Sequence, residues 1–342
     1  MHMADALLSP AVGTTMCVVS AAAIAYSVAK IKKDDLCEKK IPIMGVMGAF
    51  VFAAQMINFT IPGTGSSGHI GGGILLAAII GGFPALLAIS AVLIIQCLFF
   101  ADGGLLALGC NIFNMGVIPC LLMYPLMFKP FVKGRMNVKW ITVASILAVV
   151  VGLQLGAFGV VLQTLLSGIT ELPFSRFVLL MQPIHLAIGV AEGIITAAVL
   201  CFVYKMRPEI MESTVEGTAV KSGVAMKNIL VSLVVITLLV GGVLAVFVSE
   251  NPDGLEWAME HVAGTTELEA EGAFMEVAAA IQESTAFMPD YDFKEVGDDG
   301  SATGTTVAGI VGGTLTFLFA GVAALVISFF KKKRKDGVTA IV

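Results

Sequence analysis

The chain opens Met1-His2, and its four histidines, His2, His69, His185 and His261, are few enough to weigh one by one. A free α-amino group followed by histidine puts three nitrogens on one short arm: the Met1 amine, the His2 backbone amide and His2 Nδ1. Closing them on one ion makes a five-membered and then a six-membered ring, with all three donors in a plane. Planar nitrogen donors suit square-planar or tetragonal ions: nickel(II), copper(II) and, with more strain, cobalt(II). They suit tetrahedral zinc poorly and exclude magnesium and calcium, which take oxygen. Met1 is expected to stay in place, because His2 is too large for efficient removal of the initiator. The fourth nitrogen is expected from His69, in the run Thr64-Gly65-Ser66-Ser67-Gly68-His69-Ile70-Gly71-Gly72-Gly73. Its glycines let another segment approach closely. Five further residues are candidates to orient these ligands: Ser66 and Ser67, Asn111 and Asn114 (three apart, hence on one helix face), and His185 in Gln182-Pro183-Ile184-His185. Each has a plainer alternative. A loop histidine caps its loop, paired amides glue helices together, and a histidine at a membrane interface packs.

The elements that must position these residues are membrane spans. Of 342 residues, 57% are apolar and 13% charged, against about 25% charged in soluble domains, and the mean hydropathy is +0.94. Such a chain could not cover its surface in water, which excludes a soluble globular enzyme. A net charge of −5 with no basic face excludes nucleic acid as a partner. Six cysteines without a CxxC or framework spacing are read as small hydrophobes. Uncharged runs predict nine spans near 8–29, 41–60, 70–82, 84–100, 103–128, 141–166, 178–204, 228–249 and 306–330. The third is short and separated from the fourth only by Gly81, Gly82 and Pro84; broken half-helices often line ligand sites. With the N-terminus outside, the inner segments 30–40, 129–140, 205–227 and 331–342 hold 18 of the 20 Lys and Arg residues, as the positive-inside rule requires. No basic residue precedes the first span, so a cleaved signal peptide is not expected.

Segment 250–305 has fourteen Asp or Glu and one Lys, a local net of −13 that leaves +8 for the rest. The expected organisation is an all-α integral membrane protein: a seven-helix body over 1–208, a cytoplasmic linker over 209–227, and a two-span module over 228–335 with the acidic loop 250–305 outside. Four other features merit weighing. Asp102, at the outer end of the fourth span, is expected to cap the next helix or to draw cations. Glu192, near the middle of the seventh, is a functional candidate because an intramembrane carboxylate is costly; the alternative is pairing with polar groups on a neighbouring span. Ala21, Ala25 and Ala29 form a small-residue stripe, either packed within the body or offered to a partner helix. The acidic loop either concentrates cations or is a solvated tether.

Several stretches resemble the CbiM/NikM family, the substrate-binding (S) components of energy-coupling-factor (ECF) transporters for cobalt and nickel. They are Met1 to Pro10, the Ser67-Gly68-His69 loop, Phe100 to Gly116 with its Asp102-Gly103-Gly104 and Asn111-Ile112-Phe113-Asn114-Met115, and His185 to Gly193. Ala6 stands where that family usually has Gly, and Ile70 where Leu is common. Pro252-Asp253-Gly254-Leu255-Glu256 resembles the motif of the accessory subunit CbiN/NikN. The resemblance implies a seven-helix body whose terminus is tucked into an outward site, with Met1, His2 and His69 holding the metal in a plane. It further implies a CbiQ/NikQ-like coupling subunit, CbiO/NikO-like ATPases on the cytoplasmic side and a place in a prokaryotic cell membrane. Either cobalamin synthesis or nickel enzymes would use the cargo. The expected function is capture of nickel or cobalt for ATP-driven import, with no permanent cofactor and no enzymatic activity of its own. No GxxxxGK[ST] motif is present to supply energy, nor an HExxH for a metalloenzyme. The rival is a self-sufficient secondary transporter or channel.

Terminal chelation makes one prediction at once. Blocking the Met1 amine by acetylation removes the terminal donor, so nickel binding to the purified chain, followed by isothermal titration, should fall by at least about tenfold.

Overall fold

The computed structural model describes residues 1–33, 41–170, 172–218, 235, 237, 249, 251–266, 268, 272–293 and 302–339. It is built from helices α1 (Pro10–Lys33), α2 (Ile41–Gln55), α3 (Gly73–Ile80), α4 (Gly82–Phe100), α5 (Leu108–Val132), α6 (Val138–Ser167), α7 (Phe174–Met206), α8 (Pro208–Glu216), α9 (Gly254–Ala263), α10 (Ala273–Thr285) and α11 (Ala302–Thr339). A small antiparallel hairpin, β1 (Phe59–Ile61) with β2 (Ser66–Gly68), lies between α2 and α3, with Thr60 opposite Ser67.

Among the described residues six helices are long and apolar enough to cross a membrane: α1, α4, α5, α6, α7 and α11. The expected count of nine is not reached there. α2 has 15 residues and α3 only 8, so α3 spans about 12 Å at 1.5 Å per residue, and 228–249 falls almost wholly outside the described residues. α3 is short because glycines break the chain at both ends. Gly72 (φ 77°) precedes it and Gly81 (φ 93°) follows it, both in backbone regions that side chains resist. The fifth span also begins later than expected, at Leu108 rather than 103, because residues 101–107 form a loop that receives the N-terminus.

α4 is the most enclosed of the six long helices and α1 the most open. α6 and α7 pair along their length, and Gly189 and Gly193 bring α7 onto the backbone of Val150 and Ile146. The middle of α5, Phe113–Phe128, winds as a π-helix with Pro119 and Pro125 inside it, where each proline's missing N–H is accommodated by the widened ladder. Ala21, Ala25 and Ala29 all point away from the body, so the alternative of packing within the bundle does not hold for them.

The C-terminal helix α11 packs against α2 and α4. Small residues allow it: a Cβ on Gly48 would lie 3.3 Å from Thr316 Cγ2, one on Gly45 3.1 Å from the Phe317 carbonyl, and one on Gly312 would run into the Phe52 ring. Such close backbone approach is the usual source of helix association in lipid, where no hydrophobic force acts between helices. Gly312→Val should therefore overpack this contact, at a cost of about 1–3 kcal/mol. After protease cleavage within 209–227, the wild-type C-terminal fragment should co-purify with the tagged body, and the variant fragment should be lost from it.

Candidate metal site

The first eight residues run into the body instead of away from it. Met1, Met3, Leu7 and Leu8 are buried, and a buried segment needs partners for its polar backbone. Asn111 supplies two: its Oδ1 accepts from Met3 N at 2.8 Å and its Nδ2 donates to Met3 O at 3.3 Å. Gly104 N also donates to Met3 O, at 2.9 Å. Asp5 Oδ1 accepts from Ala107 N at 2.9 Å, so it is Asp5 that ties down the turn before α5. Asp102 does not cap that helix, contrary to expectation. Gly103 (φ 79°) lies where a Cβ would meet Asn111 Nδ2 and His2 Cβ, and Gly104 where one would overlap Asp5. The Asp-Gly-Gly run is thus the seat of the N-terminal segment.

This seating brings His2 beside His69. Their rings stack with centroids 5.3 Å apart and planes 19° from parallel. His69 Nδ1 lies 3.1 Å from the Ile70 carbonyl, a contact that places the proton on Nδ1 and leaves Nε2 with a lone pair. His69 Nε2 is buried without a hydrogen-bond partner, whereas the His2 ring also interacts with the Gln96 side chain. An orphan such as His69 Nε2 is rare in folded proteins, and a metal ion is one natural occupant for it. His2 Nδ1 faces Asp102 Oδ1 at 3.1 Å, and Asp102 also accepts from the Tyr291 hydroxyl. The Met1 ammonium is paired with Asp253 Oδ2. A chelate through the Met1 amine and His2 Nδ1 therefore requires both carboxylate contacts to part. Among the described residues no group of three or more His, Cys, Asp or Glu side chains is gathered to hold a metal.

Burial first, then the nearby ammonium, pushes His2 down to about 3 and His69 down to about 4. Both imidazoles are neutral at physiological pH, the form that binds metal. Burial raises the Asp102 carboxyl, against the lowering effect of the Tyr291 hydroxyl. Burial alone would raise Asp253 as well, but the charge and hydrogen bond of the Met1 ammonium outweigh it and hold that acid well below the carboxylate range.

The other expected residues divide. Asn114 pairs with Gln163, donating at 2.8 Å and accepting at 3.2 Å, and so joins α5 to α6; its Nδ2 also lies 3.9 Å from Met3 Sδ of the N-terminal segment, but it does not reach His69. Ser67 serves the accessory motif: its N–H donates to Pro252 O at 2.8 Å and its Oγ to Asn251 O at 2.8 Å, while Ser66 Oγ reaches Pro252 O at 3.4 Å. His185 is buried in α7, with Nδ1 2.8 Å from Met181 O. It lines a small cavity of about 50 Å³ with Met1, His69, Glu192 and Asp253. Asp253 caps α9, accepting from Leu255 N at 2.7 Å and Glu256 N at 3.0 Å, and Glu256 closes the capping box onto Asp253 N. Gly254 sits where a Cβ would crowd Ile188 and His185, and Leu255 is buried. Sequence reading missed Asp5, Tyr291, Gln55 and Gln96.

Fold and site together define a multi-span membrane protein with a buried nitrogen pocket at its N-terminus. The chain belongs to the CbiM family, the cobalt uptake substrate-specific transmembrane region, which matches residues 2–210, and it carries a PDGLE domain over 227–329. Among its relatives is a provisionally named fused nickel transport protein NikMN of Archaeoglobus fulgidus, 32% identical over 62% of this chain and 68% of that one. The fused nickel transport protein NikMN of Rhodobacter capsulatus is 32% identical over 62% of this chain and 64% of its own length. A crystal structure described as a transition metal transporter superposes with a TM-score of 0.53 at 27% identity, covering 60% of this chain and 93% of that one.

The histidine shifts carry a pH prediction. With the N-terminus out of its seat, His2 and the uncovered His69 take up protons near the ordinary value of 6.5; with it seated, they refuse them until far lower pH. Seating therefore weakens as pH falls from about 6.5 towards 4, while Asp253 stays ionised. Hydrogen exchange at the amides of residues 3–8, corrected for intrinsic rate, should quicken over that window. His2→Gln should blunt the effect.

Proposed function

We propose that this chain is the metal-capturing subunit of an ECF-type importer for nickel or cobalt. Its cargo is held by the Met1 amine, the His2 amide and Nδ1, and His69 Nε2. The observation that carries the reading is the buried, unpartnered Nε2 of His69, stacked beside His2 and set near the chain's own amine. Names of relatives point the same way, some to nickel and some to cobalt. In this reading the site faces outward, the C-terminus lies in the cytoplasm, and the module from 228 to 335 closes over the site from outside. Residues 1–208 are then the binding body, with 209–227 as a cytoplasmic linker.

Energy comes from partners, a transmembrane coupling subunit and cytoplasmic ATPases. The outward stripe Ala21, Ala25 and Ala29 on α1 is the surface proposed to meet the coupling subunit, since it is smooth, exposed and on the least enclosed span.

Equilibrium dialysis of the purified chain with nickel or cobalt should show one tight site, lost in His2→Ala and in His69→Ala. Cells supplied with the coupling and ATPase subunits should take up metal, and cells with this chain alone should not. Uptake by the chain alone that survives ATP depletion would establish the secondary-transport alternative instead.

A further inference from the structure

The loop that carries His69 is fixed two residues further on, at the peptide joining Gly71 to Gly72. Its carbonyl, Gly71 O, accepts from Gln55 Nε2 of α2 at 3.0 Å. Its N–H, Gly72 N, donates to Glu192 Oε1 of α7 at 3.2 Å. Gln55 is itself held, since its Oε1 accepts from Gln96 Nε2 of α4 at 2.9 Å. One peptide is thus gripped on both polar groups by side chains from two helices, with a third helix bracing one of them. All three side chains are buried.

Both glycines are required by this grip. A Cβ on Gly71 would lie 3.3 Å from Glu192 Oε1, and Gly72 has φ 77° with Val51 Cγ1 only 2.6 Å from where its Cβ would be. Glu192 meanwhile has no ion pair with a Lys, Arg or His among the described residues. A carboxyl group held in the middle of a span without a counter-charge needs another reason to be there. The loop amide is the hydrogen-bond partner the structure gives it.

We propose that Glu192 is a positioning residue of the metal site: with Gln55 it clamps the Gly71–Gly72 peptide and so aims His69 Nε2 at the metal. The inference rests on the metal site proposed above and adds that its fourth ligand is placed by hydrogen bonding from inside the bundle. Glu192 then works through an oxygen that accepts, and its charge is not what the site uses. Outer-sphere partners of metal ligands typically govern affinity by about 10–100-fold, and the clamp should fall in that range.

The test uses the full-length chain in detergent with nickel(II) alone as probe, read by isothermal titration and by the visible absorption of the bound ion. Glu192→Gln keeps an acceptor oxygen and should bind within about twofold of wild type, with the same spectrum. Glu192→Ala should bind roughly 10–100-fold more weakly, its spectrum moving towards that of His69→Ala. Glu192→Ala should add no further loss in the His69→Ala background, because it acts through His69. Gln55→Ala, which frees the other side of the same peptide, should act in the same direction and serves if Glu192→Ala does not fold. Wild-type affinity and spectrum in Glu192→Ala or in Gln55→Ala would overturn the clamp. So would equal loss in Glu192→Gln and Glu192→Ala, which would make the charge the working feature, or full additivity with His69→Ala. Should His69→Ala itself bind like wild type, the metal-site reading falls together with the clamp; loss in His69→Ala with wild-type behaviour in Glu192→Ala sinks the clamp alone.

Discussion

A chain terminus inserted among packed apolar side chains must find partners for its backbone and for its ammonium charge, or it will not stay. An unpaired buried charge costs several kcal/mol and an unpaired amide about 1–3. Here the debt is met group by group: Asn111 takes the N–H and C=O of Met3, Gly104 adds a second donor, and Asp253 takes the ammonium. The rest of this end of the molecule follows from that requirement. The fifth span starts late because 101–107 must open to form the socket. Gly103 and Gly104 are glycines because the entering N-terminal segment lies against them. The histidines come together because seating Met3 leaves His2 with one place to go.

The accessory module is bound into the same arrangement. Each position of Pro252 to Glu256 does a separate job: the Pro252 carbonyl pairs with Ser67, Asp253 meets the terminus while capping α9, Gly254 lets the turn lie on α7, Leu255 fills the core, and Glu256 completes the capping box. Trp257 adds a hydrogen bond from its indole to Thr64 O at 2.9 Å. The module therefore grips β2 and the loop before it, two residues from His69 at Ser67, while α11 packs on α2 and α4 within the bundle. A motif of five residues is compact because capping geometry and docking share the same atoms.

Much of this was legible in the residues. Hydropathy located the six long spans, the breaks around Gly81 and Gly82 marked the short α3, and His2 with His69 stood out by rarity and by their settings. What could not be read were contacts between segments far apart in the chain. Asp5 is an ordinary acidic residue until Ala107, 102 positions away, donates to it. Gln55 and Gln96 sit in apolar runs where one glutamine carries no pattern, and their meaning appears only when α2, α4 and the His69 loop converge. Asp102 was expected to cap α5 from a local rule, but the local rule lost to two distant partners, His2 and Tyr291. The β-hairpin was missed because three-residue strands are too short to show a period.

The two groups a metal must displace from its proposed ligands are both carboxylates, and both answer to the accessory module. Asp253 belongs to it outright, and Asp102 is shared with its Tyr291. A divalent ion bound through an amidate nitrogen leaves a centre of charge +1, the same charge the ammonium presents. Carboxylates already placed for the one are therefore suited to stay near the other, and the pocket need not rebuild its electrostatics around the cargo. In the proposed site selectivity then falls to geometry. Histidines held from behind, His69 by its Ile70 carbonyl, would admit an ion that accepts donors in one plane and would disfavour one that demands a tetrahedron.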